Sequence, residues 1–399
     1  MEKKLMLGNE AVARGLYENG VLVSTAYPGT PSTEISEYAA KYDEIYAEWS
    51  PNEKVALEVA IGASVGGARA FCAMKHVGLN VAADPLFTVA YTGVNGGLVI
   101  GVADDPSMHS SQNEQDSRNY AKASKVPMIE PSDSSECKEF IKAAYEMSEN
   151  FDTPVIYRLS TRVSHSQSIV ELSERQEVEV KPYTADIAKY VMMPGNAIKK
   201  HPEVEDRINR LREYAETTPL NRIEYGDKKI GIITSGMCYN YVKEAFGDSV
   251  SVLKLGMVYP LPVNMIKEFA KNVDTLYVVE ELDPFIEEHC NNIGVKVIGK
   301  ELFPMCYEFS TRQIKELISG QACPEFDTVD EEVPMRPPVL CPGCPHRGIF
   351  YVLKKMGVNV CGDIGCYTLG AVAPLQSIHS VVCTVSYTHL RAHETPEHL

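Results

Sequence analysis

The stretch "VLVSTAYPGTPSTEI", residues 21–35, decides the fold of the N-terminal part of the chain. The apolar run "VLVSTAY", residues 21–27, predicts a strand, and Ile35 lies in a segment with helical spacing. Between them we expect Thr30 to be the N-cap, Pro31 the first helical residue and Glu34 part of the first turn. The two prolines indicate either a stiff, well-capped connection or a turn shaped for a ligand, since ligands of parallel sheets bind where strands end.

The same alternation of strand and helix continues outward from this stretch. Short apolar runs such as "FCAMK" and "GGLVIGVAD" predict buried strands, and helical patterns separate them to about residue 165. Such a pattern predicts an α/β fold of successive doubly wound parallel-sheet domains. After a first domain, residues 1–170, we expect a charged linker region, 171–227, with one amphipathic helix near "VEDRINRLREYAE". A second α/β domain, 228–330, includes the strand "SVLKLGMV".

The C-terminal part of the sequence differs from the rest. A proline-rich acidic run leads to residues 335–384, which we interpret as the incomplete start of a third domain. Residues 385–399 show neither helical nor strand periodicity and are similar to translated sequencing-adapter sequence. We therefore expect this tail to be non-native and the chain to be truncated.

Composition excludes several classes of function. The 399 residues carry a net charge of −16 without a basic cluster, which argues against nucleic acid as a partner. No apolar run is long enough for a bilayer span and no signal peptide is present, so we expect no membrane association and a cytoplasmic location. The 11 cysteines, an odd number without a secretory signal, predict reduced thiols.

The helix predicted from "SPNEKVALEVAIGASVGGARA", residues 50–70, offers two interpretations. Ser50 followed by Glu53 matches a capping box, in which the glutamate only stabilises the start of its own helix. Against this, Gly62, Gly66 and Gly67 each cost the helix about 1 kcal/mol relative to alanine. Such glycines favour a close approach by another helix or by a flat cofactor, and we assign Gly62 to that face.

Four cysteines, Cys341, Cys344, Cys361 and Cys366, have the spacing C-x2-C-x16-C-x4-C. This pattern is compatible with an iron–sulfur cluster or with a zinc ribbon, although the last gap is wider than zinc ribbons usually have. Buried, unligated thiols are the third interpretation.

Several motifs together resemble one enzyme family. They are "YPGTPSTEI", "NEKVALEVAIGASVGGARAFCAMKHVG", "HSSQNEQDSRNYAKASKVPMIEPSD", "PVIYRLSTRVSHS", "CPGCPHR" and "GDIGCYTLG", in order along residues 1 to about 383. The chain resembles the alpha subunits of indolepyruvate:ferredoxin oxidoreductases, which are thiamine-diphosphate enzymes of the 2-oxoacid:ferredoxin oxidoreductase group (EC 1.2.7). The resemblance implies a pyrimidine-binding domain in 1–170, a transketolase-C-like domain in 228–330 and the start of a diphosphate-binding domain in 335–384.

The resemblance also implies the reaction and its participants. Arylpyruvates such as indolepyruvate are decarboxylated oxidatively with coenzyme A, and the electrons pass to ferredoxin through [4Fe-4S] clusters. The cofactor is thiamine diphosphate with Mg2+, and a beta subunit completes a hetero-oligomer. The Mg2+ motif and the ferredoxin-type cysteine clusters of the family are absent from this sequence, so we expect the chain alone to be inactive.

Particular residues acquire expected roles from the resemblance. Glu53 falls on the glutamate that hydrogen-bonds the aminopyrimidine ring of thiamine, where a carboxylate favours the tautomer that removes the C2 proton. Thr30 matches the threonine that contacts the oxoacid carboxylate, and Lys75 and His76 are further pocket residues. Cys341, Cys344 and Cys366 are the candidate ligands of an iron–sulfur cluster.

Two alternatives stay open at this point. A related 2-oxoacid, pyruvate or 2-oxoglutarate, is compatible with the same motifs, since nothing in the sequence alone defines an aromatic pocket. The other is a non-catalytic zinc-ribbon scaffold whose α/β domains only bind partners.

Overall fold

A computed structural model describes residues 2–324, 334 and 337–381. The chain divides into two compact units, residues 1–323 and 324–399. The tail predicted to be non-native, 385–399, lies outside the described residues, as do most of the acidic run before residue 337 and the end of the third predicted domain.

The strands are short, and most of them belong to two sheets. In chain order they are β1 (Lys3–Leu7), β2 (Val23–Ala26), β3 (Tyr46–Trp49), β4 (Ala70–Lys75), β5 (Leu98–Asp104), β6 (Met128–Ile129), β7 (Val155–Ser160), β8 (Gln167–Glu171), β9 (Arg222–Glu224), β10 (Ile230–Ser235), β11 (Ser251–Leu255), β12 (Met257–Tyr259), β13 (Thr275–Val279), β14 (Cys361–Gly362) and β15 (Ser380–Val381).

Helices connect these strands. They are α1 (Gly8–Glu18), α2 (Thr33–Ala39), α3 (Glu53–Val65), α4 (His76–Val81), α5 (Ala83–Thr92), α6 (Arg118–Ser124), α7 (Ser134–Phe151), α8 (Thr161–His165), α9 (Ile187–Tyr190), α10 (Pro194–Ala215), α11 (Gly236–Phe246), α12 (Val263–Lys271), α13 (Phe285–Asn292), α14 (Thr311–Ser319) and α15 (His346–Met356).

A seven-stranded sheet forms the centre of the first unit. Its strand order is β12-β6-β7-β5-β4-β2-β3, and every neighbouring pair is parallel except β12 with β6. Every residue of β4, β5 and β7 is buried, as expected for strands covered by helices on both faces. The predicted doubly wound parallel sheet is confirmed for this part of the chain.

The register of this sheet brings several chain segments to one edge. Ala26, the last residue of β2, lies opposite Ala73 in β4, and Lys75 at the end of β4 lies opposite Ala103 in β5. Asp104 ends β5 opposite Ser160. The loops that follow β2, β4 and β5 therefore meet at the carboxyl edge, where parallel sheets bind ligands.

A second sheet has four strands in the order β13-β10-β11-β9. The predicted strand "SVLKLGMV" is wrong as a single strand, because the chain changes sheets at Gly256. Ser251–Leu255 pairs with β10, whereas Met257–Tyr259 pairs with β6 of the seven-stranded sheet. At the change, the N–H groups of Gly256 and Met257 both donate to Oδ1 of Asn221 instead of to a ladder partner.

The segment between the two predicted α/β domains contains α10, the amphipathic helix. Its buried residues Val204, Ile208, Leu211 and Ala215 recur at helical spacing, which explains why the helix packs by one face. Three of them, Ile208, Leu211 and Ala215, share a hydrophobic core cluster with residues of β7 and α7. The predicted helix is confirmed and begins earlier in the chain, at Pro194.

The second unit is small. Leu340, Phe350 and Ile378 form its buried core, and α15 supplies Phe350. Strands β14 and β15 pair in parallel. Across the part of the chain that the structure describes, no helix combines the length and the apolar character that crossing a membrane requires.

Candidate active site

The turn after β2 is held by hydrogen bonds of its own. The Ser32 N–H and hydroxyl both donate to the Gly29 carbonyl, and the Gly29 N–H donates to Oγ1 of Thr33. Because these bonds use the polar groups of the turn, the helix begins only at Thr33. The predictions of Thr30 as N-cap and Pro31 as first helical residue are therefore wrong, while Glu34 does lie in the first turn.

The turn is also fixed from outside. The buried side chain of Asn9 donates from Nδ2 to the Pro31 carbonyl (2.7 Å) and to Oε2 of Glu34 (2.9 Å). Thr30 itself is exposed, and its carbonyl accepts a hydrogen bond from the Ser110 hydroxyl. The turn thus presents Thr30 at the carboxyl edge on a backbone that α1 holds in place.

Helix α3 starts differently from the capping box that the sequence suggests. Asn52 is the N-cap, and its Oδ1 accepts from the Val55 N–H at 3.0 Å. The Ser50 N–H donates to the Ala26 carbonyl at the end of β2, and Glu53 is the first helical residue. Since Asn52 does the capping, the carboxyl of Glu53 is not needed to stabilise the helix start.

The Glu53 carboxyl is buried and incompletely hydrogen-bonded. The residue is 3% exposed, and its Oε2 has no hydrogen-bond partner among the described residues. Burial raises the pKa of this carboxyl, while its own backbone N–H and the charge of Lys75 act in the opposite direction. A buried acceptor without a donor costs about 1–3 kcal/mol, so this oxygen is suited to an N–H group of a ligand.

A glycine makes room for this carboxyl. A Cβ atom on Gly78 in α4 would lie 2.6 Å from both Cγ and Oε1 of Glu53, closer than any side chain could tolerate. The first turn of α4 therefore forms one wall of the space around Glu53. Thr25 of β2 fixes a second wall, because its hydroxyl donates to the Ala56 carbonyl of α3 at 2.7 Å.

Lys75 and His76, at the junction of β4 and α4, lie at the same edge. The Lys75 ammonium group donates to the Ser110 carbonyl at 3.0 Å, and Nε2 of His76 lies 3.2 Å from the Asn113 carbonyl. Burial lowers the pKa of Lys75, and the negative charges of Asp105 and Glu53 partly offset this effect. A Cβ on Gly29 would lie 3.1 Å from Cγ and Cδ of Lys75, so this side chain runs beside the turn that carries Thr30.

The loop that supplies these carbonyls, residues 105–117, follows β5. Its anchor is Asp105, which is 1% exposed and accepts hydrogen bonds from Thr161, Ser111 and the Ser110 N–H. Burial opposes ionisation of this carboxyl, but the hydrogen bonds from Ser111 and Thr161 lower its pKa overall. Sequence reasoning missed Asp105, and the signal was a pair of aspartates directly after a buried strand.

The structure therefore brings together four of the predicted site residues: Thr30, Glu53, Lys75 and His76. Gly62 is not among them. It lies nine positions after Glu53 on α3, about 13 Å along the helix axis, and an added Cβ there would touch nothing within 4 Å. No other part of the described chain comes close to Gly62, so packing does not explain why this residue is a glycine.

The cysteines predicted as metal ligands lie in the second unit. The Cys344 N–H donates to the Cys341 carbonyl in a turn that contains Gly343 at φ +76°, and Sγ of Cys344 lies 3.5 Å from Nδ1 of His346. Cys341 and Cys366 are exposed. Among the described residues, no three His, Cys, Asp or Glu side chains are arranged to hold a metal ion, so the cluster stays a sequence prediction.

A buried charge cluster lies beside the candidate site and between the two sheets of the first unit. We use this name for five carboxyls and two guanidinium groups, none more than 9% exposed: Asp104, Asp116, Arg118, Glu130, Arg158, Glu280 and Glu281. Arg118 bridges Asp116 and Glu280, and Arg158 bridges Asp104 and Glu130. Asp104 connects the cluster to the site, since Asp105 follows it directly.

Comparisons with known proteins give the chain its context. A family model described as pyruvate flavodoxin/ferredoxin oxidoreductase, thiamine diphosphate-binding, matches residues 14–218. The chain is 43% identical to indolepyruvate oxidoreductase subunit IorA of Pyrococcus horikoshii and 42% identical to that of Archaeoglobus fulgidus, each over 96% of its length. It spans 64% and 66%, respectively, of the length of these relatives.

More distant proteins also match the chain. The 2-oxoglutarate synthase subunit KorA of Archaeoglobus fulgidus is 24% identical over 80% of this chain and 100% of its own length. A 2-oxoglutarate:ferredoxin oxidoreductase from Magnetococcus marinus, solved with 2-oxoglutarate, coenzyme A and succinyl-CoA bound, superposes with a TM-score of 0.66. The superposition covers 80% of this chain and 65% of that one at 17% identity, and it shows the fold.

Proposed function

We propose a function from one premise, that the chain belongs to the pyruvate flavodoxin/ferredoxin oxidoreductase family of thiamine diphosphate-binding proteins. Within that family we infer that it acts as the alpha subunit of an indolepyruvate:ferredoxin oxidoreductase. The similarity to IorA subunits, at 42% and 43% identity against 24% for KorA, favours arylpyruvates over 2-oxoglutarate as substrates.

The observation that carries the proposal is the Oε2 atom of Glu53, which is buried at the carboxyl edge of the parallel sheet and has no partner in the described part of the chain. The residues present fit the aminopyrimidine of thiamine, because a protonated ring nitrogen supplies the N–H donor that this oxygen lacks. Thiamine diphosphate, when bound, supplies the carbon nucleophile for decarboxylation of a 2-oxoacid.

The role of Glu53 follows from its surroundings. Burial disfavours its charged form, so the carboxylate gains more from a hydrogen bond to a cationic N–H than an exposed carboxylate would. Gly78 and the Asn52 cap fix its position, which means that the ring nitrogen meets a carboxyl already in place. The chain thus holds a proton at one defined ligand atom.

The anionic end of the oxoacid has candidate partners in the same space. Thr30 offers an exposed hydroxyl on a turn fixed by hydrogen bonds, and Lys75 offers an ammonium group that donates to the Ser110 carbonyl. We propose that these two groups bind the substrate carboxylate.

The remaining components of the proposal follow the family. Coenzyme A and ferredoxin are the proposed co-substrate and electron acceptor, a beta subunit is the proposed partner in a cytoplasmic hetero-oligomer, and Mg2+ accompanies the diphosphate. Iron–sulfur clusters, with Cys341, Cys344 and Cys366 as proposed ligands of one, would carry the electrons. The roles proposed for Glu53, Thr30 and Lys75 do not depend on those cysteines.

Replacing Glu53 by glutamine in the native complex tests the proposal. An amide of nearly the same volume cannot hold a ring nitrogen protonated, so we expect kcat to fall by about 100-fold or more. Glu58→Gln is the matched control, since Glu58 is exposed on the same helix. Near-normal turnover of Glu53→Gln with ferredoxin as acceptor would overturn the role given to Glu53.

The substrate class needs a separate measurement. We expect the complex to show a higher kcat/KM for indolepyruvate and phenylpyruvate than for pyruvate and 2-oxoglutarate. A preference for either of the last two would contradict the arylpyruvate assignment and leave the thiamine-dependent chemistry intact.

A further inference from the structure

The imidazole of His76 is a second buried group with an incomplete set of partners. His76 is the first residue of α4 and is only 1% exposed. One ring nitrogen, Nε2, lies 3.2 Å from the Asn113 carbonyl oxygen. The other, Nδ1, is buried and has no hydrogen-bond partner among the residues that the structure describes.

The Asn113 contact determines which ring nitrogen carries the proton. A carbonyl oxygen can only accept a hydrogen bond, so Nε2 must be the donor. In the neutral imidazole, Nδ1 then presents a bare lone pair, and the tautomer is assigned from this network.

His76 and Glu53 each keep one buried acceptor atom without a donor among the described residues. The Glu53 carboxyl lies against Gly78, two residues after His76 in the first turn of α4. Each acceptor costs about 1–3 kcal/mol if nothing donates to it, so each of them needs a compensating donor. The compensating groups are not supplied by the described chain.

We propose that Nδ1 of His76 accepts a hydrogen bond from an N–H or O–H group of the ligand bound at Glu53. This inference rests on the proposed function and adds the atom, the tautomer and the direction of the bond. The donor belongs either to thiamine diphosphate or to the indole N–H of indolepyruvate, because the ionised carboxylate and the ketone of a 2-oxoacid can only accept hydrogen bonds. Asn113, through its carbonyl, is then a positioning residue, because it keeps the proton on Nε2 and the lone pair free.

Two substitutions separate the two ring nitrogens. In His76→Gln, the side-chain amide reaches the position of Nε2 and can still donate to Asn113, but nothing replaces Nδ1. In His76→Asn, the shorter amide lies near the position of Nδ1 and can accept there, but the Asn113 bond is lost. A ligand-binding Nδ1 makes Gln the more harmful change, whereas a purely structural imidazole makes Asn the more harmful one.

The first measurement is affinity in the native complex, by calorimetric titration of thiamine diphosphate with Mg2+, together with the KM for indolepyruvate. We expect His76→Gln to weaken one of these by about fivefold to tenfold, as for one lost hydrogen bond, and His76→Asn to weaken it less. Loss of thiamine diphosphate affinity would place the donor on the cofactor, and a raised KM alone would place it on the oxoacid. Unchanged values for His76→Gln would overturn the inference.

The second measurement decides the case in which both variants lose affinity. In the full chain labelled with 15N-histidine, the Nδ1 resonance of His76 should move when thiamine diphosphate or the oxoacid is added. His289, far along the chain in α13, is the internal control, since its Nε2 is also buried without a partner among the described residues. A His76 resonance as insensitive to both ligands as that of His289 would overturn the inference.

These outcomes are distinguishable from failure of the proposed function. If thiamine diphosphate does not bind, or binds equally well to Glu53→Gln, then the function assigned to the site is wrong. If binding depends on Glu53 while His76→Gln behaves as the unaltered protein, only the role given to Nδ1 is wrong.

Discussion

Gly78 leaves space for the Glu53 carboxyl in the candidate site. A methyl group at position 78 would overlap the carboxyl of Glu53, since its carbon would lie 2.6 Å from Oε1. We expect Gly78→Ala to displace this carboxyl and to lower the affinity for thiamine diphosphate by about tenfold, as for one lost hydrogen bond to a charged group. Calorimetric titration of the complex would measure the change, and unaltered affinity would show that Glu53 is free to move.

Gly62→Ala gives the contrasting prediction at the same scale. Nothing in the described chain lies within 4 Å of the added methyl group, and the position is exposed and helical. We expect the free energy of unfolding to rise by about 1 kcal/mol, because alanine favours the helix, with cofactor affinity unchanged. A loss of affinity would instead support the sequence-based assignment of Gly62 to the cofactor face.

At the scale of single elements, the sequence predicts the existence of the helices better than their first residues. The helix that carries Glu53 was predicted from its apolar spacing, but Ser50 and Glu53 matched a capping box that the structure replaces with Asn52. The turn at Thr30 shows the same limit. In both cases a backbone N–H that the sequence pattern assigns to the helix donates to another group. The Ser50 N–H donates to the Ala26 carbonyl, and the Ser32 N–H donates to the Gly29 carbonyl within the turn.

A pair of variants tests the start of α3. Asn52→Ala removes the side chain that accepts from the Val55 N–H, and we expect it to lower the free energy of unfolding by about 1 kcal/mol. Ser50→Ala should cost much less, since only the backbone N–H of Ser50 is used at this helix start. Chemical denaturation of both variants would measure the difference. A larger loss of stability for Ser50→Ala than for Asn52→Ala would support the capping box instead.

At the scale of the whole molecule, the buried charge cluster could not have been predicted from sequence. Arg118 and Glu280 are 162 positions apart, and they meet only because the second sheet packs beside the first. The parallel sheet, by contrast, is encoded in local apolar runs, so that part of the fold was accessible from the sequence. Of the candidate site, Glu53, Thr30, Lys75 and His76 were predicted through family motifs, whereas Asp105, Asn113 and Gly78 depend on long-range contacts.

This cluster has more negative than positive side chains, and Glu281 shows the consequence. Burial raises the pKa of its carboxyl to about 7, and Glu308 and Glu130 add to the effect. The Phe309 N–H and the charge of Arg158 act against it. Glu281 therefore binds a proton in the folded protein at a pH where the unfolded chain has released it.

The pH dependence of stability follows from that difference. Because the folded state holds more protons between pH 4.5 and about 7, the free energy of unfolding should fall as the pH rises through this range and then level off. Glu281→Gln, which keeps an uncharged side chain at every pH, should therefore stabilise the protein at pH 8, by on the order of 3 kcal/mol at most, and have little effect near pH 4.5. Thermal unfolding of this variant, with exposed Glu301→Gln as control, would show a gain in Tm that grows with pH. A Tm difference that is constant across pH 5 to 8 would mean that Glu281 stays ionised in the folded protein over this range.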